Sequence, residues 1–155
     1  MSPVSTRQVL IVEDDYETLD VVSHTLRREG FDVGTFTEAR AALEAARRGA
    51  PPALILLDYV MGDMSADAFV RELRREGVRT EVVLMTGMTP TKISKEVLRA
   101  VRLIRKPLDM ARLVDLVTRG VARSHEQPAL SSAGAPSASG VWGVPTGSRS
   151  ASVIS

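Results

Sequence analysis

Four places in this 155-residue chain put a chemically able side chain directly behind a short apolar run. Glu13, Asp14 and Asp15 follow residues 9–12 (Val-Leu-Ile-Val), Asp58 follows residues 53–57 (Ala-Leu-Ile-Leu-Leu), Thr86 follows residues 82–85 (Val-Val-Leu-Met), and Lys106 follows residues 101–105. Consecutive carboxylates suit a hard cation that wants oxygen ligands. The same acids at a helix start also serve as a cap and as complements to the helix dipole. Taken singly, Asp58 is a loop cap, Thr86 a turn residue and Lys106 a solvated charge. Together Glu13, Asp14, Asp58, Thr86 and Lys106 are three acids, a hydroxyl and a fixed cation, which is a set able to hold both a metal and an anion.

Whether they meet depends on the elements that carry them. Residues 53–57 are too short and too uniformly apolar for an amphipathic helix, and suit a strand buried on both faces of a parallel sheet. Residues 8–12 read the same way and give β1. Asp15 then caps a helix α1 whose stripe is Thr18, Leu19, Val22 and Leu26, stopped at Gly30. Residues 31–36 form a weaker β2. Thr37 offers the cap of α2, with Ala41, Ala42, Leu43 and Ala46 on its inner face and Gly49, Pro51 and Pro52 at its end. The organising strand is β3. Helix α3 runs over residues 66–76, with Phe69, Val70 and Leu73 inward and Gly77 as its stop; β4 covers residues 81–85, α4 residues 91–100 and β5 residues 101–105. Asp109 caps α5, which carries Leu113, Val114, Val117 and Val121 and stops near Arg123. Five strands alternating with helices make an α/β fold with a parallel, doubly wound sheet and helices on both faces. The chemistry-bearing residues then leave the sheet at one edge.

Composition narrows the classes. The hydrophobic share of 44%, the charged share of 25% and the net charge of +1 are those of an ordinary globular protein, and give no general reason to expect nucleic acid as a partner. Without cysteine there is no disulfide, thiolate metal site or thiol nucleophile. No apolar run is long enough to cross a bilayer and no leader is visible, so the expectation is a cytoplasmic protein with no membrane role. About two thirds of residues 124–155 are Ser, Ala, Gly or Pro, and this stretch is expected to be a disordered tail. It holds the only tryptophan, Trp142.

The order of these features, an acidic pair after β1, Asp after β3, Thr before a small residue after β4 and Lys-Pro after β5, resembles the CheY-like receiver domain of bacterial two-component response regulators. The match covers residues 7–123, after a lead of residues 1–6. It implies a flavodoxin-like five-stranded sheet in the order 2-1-3-4-5. It further implies that Asp58 accepts a phosphoryl group from a histidine kinase or histidine phosphotransfer protein, in a reaction that needs Mg2+. By the same resemblance Asp14, Asp58 and the backbone carbonyl of Val60 hold the metal, and Glu13 acts through a water. Lys106 and Thr86 each take a phosphoryl oxygen, Gly87 keeps the approach open, and a cis bond before Pro107 aims the lysine. Such a protein is no enzyme beyond its own phosphorylation and dephosphorylation.

The chain departs from the family in places. Leu103 stands where the family has an aromatic switch residue on β5; Gly62 replaces a proline, and Ser65-Ala66 replaces Asp-Gly, so the loop after Asp58 is expected to be mobile. Val60 and Met88, both apolar, occupy positions that flank the hydrolytic water, which implies a long-lived phosphoryl group. A haloacid-dehalogenase-type phosphatase would need an acid where Val60 stands. A flavodoxin would need a Ser/Thr/Gly-rich loop where the three acids stand. The leading expectation is a single-domain regulator signalling to an unknown output protein through the α4-β5-α5 face, with homodimerisation there left open. The alternative is a receiver-like binding module that works without phosphate.

Overall fold

Runs of Val, Leu and Ile with no polar side of their own are stable only in a sheet covered on both faces, and that is where they lie. The computed structural model describes residues 8–87 and 93–126. Its elements are β1 Gln8–Val12, α1 Tyr16–Arg28, β2 Asp32–Phe36, α2 Ala39–Arg47, β3 Leu54–Asp58, α3 Ala66–Arg75, β4 Glu81–Thr86, α4 Lys95–Ala100, β5 Val101–Arg105 and α5 Met110–Glu126. The strands form one parallel sheet in the order β2-β1-β3-β4-β5. Residues 1–124 make one unit; of the second, residues 125–155, only His125 and Glu126 are among the described residues, as the end of α5.

Alternation along the strands divides the core in two. Leu10, Val12, Ile55, Leu57, Val82 and Leu84 face α2, α3 and α4, where Ala42, Leu43, Phe69, Leu73 and Val97 meet them. Val9, Ile11, Leu54, Leu56, Val83, Met85 and Ile104 face α1 and α5, against Leu19, Val22, Leu26, Leu113 and Val117. All five residues of β3 are buried. Burying one such aliphatic side chain is worth about 1.5–3 kcal/mol, so this strand is anchored from both sides.

The ends of the helices show how local signals compete with distant ones. Asp15 caps α1, accepting from the Thr18 amide at 3.0 Å, and Gly30 follows with φ 93. Thr37 does not cap α2. Glu38 takes the N-cap position without a side-chain bond, and the free amides of Ala39 and Arg40 donate instead to the carboxylate of Asp63. Ser65 caps α3. Helix α4 starts at Lys95, capped by Ser94, and the expected start at residue 91 lies outside the described residues. Helix α5 runs three residues past the expected stop, to Glu126. At the sheet end away from the strand-end acids, Glu81 takes hydrogen bonds from Arg102 at 2.6 Å and from both Arg123 Nε and Nη2, tying β4, β5 and α5 together. The stretch read as a disordered tail, with Trp142, falls outside the described residues from 127 onward.

Gly120 marks the closest approach of α5 to the sheet. A Cβ there would run into Leu54 Cδ1, on a strand with no room to yield. Gly120→Ala is expected to cost about 1–3 kcal/mol despite the better helix propensity of alanine. A lower urea midpoint at unchanged m-value is the expected readout.

Candidate functional site

The parallel register brings the strand ends together. Val12 pairs with Leu57, Asp58 with Met85, and Thr86 with Arg105, while the Glu13 amide continues the ladder to Phe36 O at 3.0 Å. Glu13, Asp58 and Thr86 are all buried. The other buried polar residues, Ser23 and Thr80, spend their hydroxyls on nearby backbone carbonyls. The acids here have a different partner. Lys106 Nζ donates to Glu13 Oε1 at 3.0 Å and to Asp58 Oδ1 at 3.3 Å. Glu13 Oε2 accepts the Asp15 amide at 3.1 Å, and Asp58 Oδ1 accepts that of Val60 at 3.4 Å.

The charges are not balanced. Burial holds the Glu13 carboxyl above the ordinary carboxylate range, with Asp58 pushing the same way, while Lys106 and the Asp15 amide pull it down. Burial works against the Lys106 ammonium, but the Glu13 hydrogen bond and the charges of Asp58 and Glu13 outweigh it and raise its pKa. One cation thus serves two buried anions. Asp14 is exposed beside them, and one carboxylate oxygen each from Glu13, Asp14 and Asp58 lie within 4.8 Å of one another. Three hard oxygen donors with surplus negative charge fit a divalent cation such as Mg2+.

Thr86 closes β4, and its carbonyl accepts the Lys106 amide at 2.8 Å. An added Cβ at Gly87 would meet no protein atom within 4 Å, so the fold itself leaves that approach open. The Lys106-Pro107 bond is cis. Val60 turns its side chain outward, 69% exposed. Leu103 is 40% exposed on the edge strand, in the same alternation as Val101, which packs towards α4. Met88 lies outside the described residues.

Two aspartates that the sequence reading passed over prove to be connectors. Asp63 binds the start of α2. Asp67 accepts from Ser94 N at 2.9 Å, Ser94 Oγ at 3.0 Å and Arg71 Nε at 2.7 Å, and Arg71 reaches on to Glu96 at 3.0 Å. Arg71 first, then the Ser94 amide, hold the Asp67 carboxyl below the ordinary range. The loop expected to be mobile is therefore tied to α2, and the helix behind it to α4. A hint was available in Glu38, a poor capping residue at a place where a helix needs a cap.

The carboxyl edge of the parallel 2-1-3-4-5 sheet thus carries an acid cluster, a buried Thr and a Lys. Residues 9–118 match the family "Response regulator receiver domain", and the chain belongs to that family. Among curated relatives, the alkaline phosphatase synthesis transcriptional regulatory protein SphR of Synechococcus elongatus is 32% identical over 139 residues, covering 83% of this chain and 53% of that one. The DNA-binding response regulator MtrA of Mycobacterium tuberculosis is 30% identical over 125 residues, 79% of this chain and 54% of that one. The chain thus spans about half the length of these relatives. Among solved structures, a CheY-like receiver domain protein from Methanospirillum hungatei superposes with a TM-score of 0.68 at 22% identity, covering 78% of this chain and 98% of that one. The receiver domain of NtrX from Brucella abortus gives 0.65 at 26% identity, with 74% and 98% covered. No helix among the described residues is long and apolar enough to cross a membrane.

The raised pKa of Glu13 sets a pH dependence. Its folded-state value lies above the ordinary 4.5, so the stability it contributes is fully present below that pH and is lost as pH rises through the raised value. Thermal melts in EDTA across the acid-to-neutral range should show this loss in the wild type. Glu13→Gln, which cannot ionise, should lack it.

Proposed function

We propose that this protein accepts a phosphoryl group on Asp58 from a histidine kinase or phosphotransfer protein and passes the change on through protein contacts at the face built by α4, β5 and α5. The observation that carries the reading is Lys106 bridging Glu13 and Asp58 at 3.0 and 3.3 Å at the buried end of the sheet. Few other reasons exist to gather two carboxylates and an ammonium there.

In the proposed reaction an Asp58 carboxylate oxygen forms a bond to the phosphorus of a phosphohistidine. The P–N bond breaks, and its electron pair stays on the imidazole nitrogen. Such a transfer depends on alignment and on neutralising the phosphoryl oxygens. Lys106 is positioned to exchange its bond to Asp58 for one to a phosphoryl oxygen, as a mobile point charge. Thr86, on the neighbouring strand end, would donate its hydroxyl to another, and Gly87 leaves the approach clear. Asp14, Asp58 and the Val60 carbonyl would hold Mg2+, which when bound supplies positive charge to the phosphoryl oxygens. Both oxygens of Glu13 are engaged, by Lys106 and the Asp15 amide, which supports a role for it through water rather than by direct ligation. The exposed side of α4 and β5 offers Lys95, Arg99, Arg105 and Leu103, a basic rim with an apolar centre for the output contact.

Incubation with Mg2+ and acetyl phosphate should add one phosphoryl mass to the wild type and none to Asp58→Asn by intact-mass analysis. No gain with this donor or with histidine kinases would leave a binding module that works without phosphate. Neither Val60 nor Met88 can orient a water. The phosphoryl group of the wild type should accordingly outlast that of a Val60→Asn, Met88→Glu double variant; equal decay in the two would remove this point.

A further inference from the structure

The loop of residues 59–65 starts beside the phospho-acceptor, where the Val60 amide donates to Asp58 Oδ1 at 3.4 Å. The Val60 side chain is 69% exposed, and an added Cβ at Gly62 would meet no atom within 4 Å. Tyr59 packs partly against the core, and its amide donates to Met85 O at 2.9 Å. Met61 is buried in the core, Met64 packs partly against it, and Asp63 reaches out of the loop to α2. There the two carboxylate oxygens divide the work: Oδ1 accepts from the Ala39 amide at 3.1 Å and Oδ2 from the Arg40 amide at 2.9 Å. These are two of the amides that a helix leaves unpaired at its N-terminus, where the dipole also favours an anion. The helix is itself anchored in the core, because Ala39, Ala42, Leu43 and Ala46 are all buried.

Helix α2 has no cap of its own, since Glu38 makes no side-chain bond. A carboxylate 23 and 24 residues further on, in the loop behind the phospho-acceptor, does the capping instead. The same two bonds fix the loop five residues past Asp58 and three past Val60. Glycine at 62 leaves the backbone more freedom there, so the Asp63 tether adds to the hold that the buried Met61 gives the loop.

We propose that Asp63 is a positioning residue for the metal site: by gripping the start of α2 it holds the 59–63 backbone so that the Val60 carbonyl faces the carboxylates of Asp14 and Asp58. The inference rests on the reading of this edge as a Mg2+ site. Asp63 touches neither the metal nor the phosphoryl group. Its effect runs through the loop backbone, and groups that orient metal ligands in this way typically carry about 10–100-fold in metal affinity.

The test separates positioning from simple helix capping. Mg2+ affinity is measured by calorimetry on the unphosphorylated full chain for wild type, Asp63→Ala, Asp63→Asn, and the double variant Asp63→Ala, Glu38→Ser. Serine at residue 38 sits in extended backbone, φ -129 and ψ 137, and restores a local cap to α2 without restoring the tether. Asp63→Ala should weaken Mg2+ binding by about tenfold. Asp63→Asn, which keeps one acceptor oxygen, should fall between. The double variant should regain thermal stability while its Mg2+ affinity stays weak. Recovery of affinity together with stability would overturn the proposal in favour of a plain cap, as would unchanged affinity in Asp63→Ala. Absence of Mg2+ binding in the wild type would overturn the metal site itself, and this inference with it.

Discussion

The ammonium of Lys106 between the carboxylates of Glu13 and Asp58 is the interaction on which the working edge of this protein depends. A sheet buried on both faces can expose polar groups only at its ends, and this one delivers two buried anions to the same end. Left alone they would repel in a poorly screened environment, and the cost would fall on β1 and β3, two of the three inner strands. Lys106 relieves that cost incompletely, because one positive charge faces two negative ones with a third, Asp14, at the rim. The folded protein therefore holds a standing preference for added positive charge at this place. That residual attraction, more than any single contact, makes the edge a site.

Around it the structure divides labour between order and slack. Strands β1, β3 and β4 are fixed by the two cores and hold Glu13, Asp58 and Thr86 to their register. The loop after Asp58 is held by side-chain bonds that run sideways, Asp63 to α2, and the helix behind it by Asp67 and Arg71 to α4. Exposed ion pairs such as Arg71 with Glu96 contribute little to stability. Their value is geometric, since they set where α4 stands relative to α3.

The fold was readable from the sequence because its strongest determinants are local. Uniform apolar runs at residues 9–12, 54–57 and 82–85 can hardly be anything other than inner strands, and each is followed at once by a residue of the candidate site. Glycines 30 and 77 stop helices by the positive φ that they adopt, a signal carried in one residue. What could not be read was any bond whose two ends are far apart in the chain. Thr37 looked like a cap because nothing nearby reveals that Asp63 will arrive from the next loop. Lys106 looked like a counterpart for phosphoryl oxygens alone, whereas 93 residues separate it from Glu13, its closest ion-pair partner here. The end of α5 was placed early because Arg123 reads as a solvated charge until Glu81 is brought beneath it by β4. Local propensity writes the elements, and long-range electrostatics decides how they finish.

Helix α4 passes into β5 with no residue between them: Ala100 ends the one, and Val101 is both its C-cap and the first residue of the strand. Most helix-to-strand joints include a few loop residues that absorb small changes of angle. This joint has none. A change in the setting of the six-residue helix would therefore reach the outermost strand directly, on the face where Val101 and Leu103 lie.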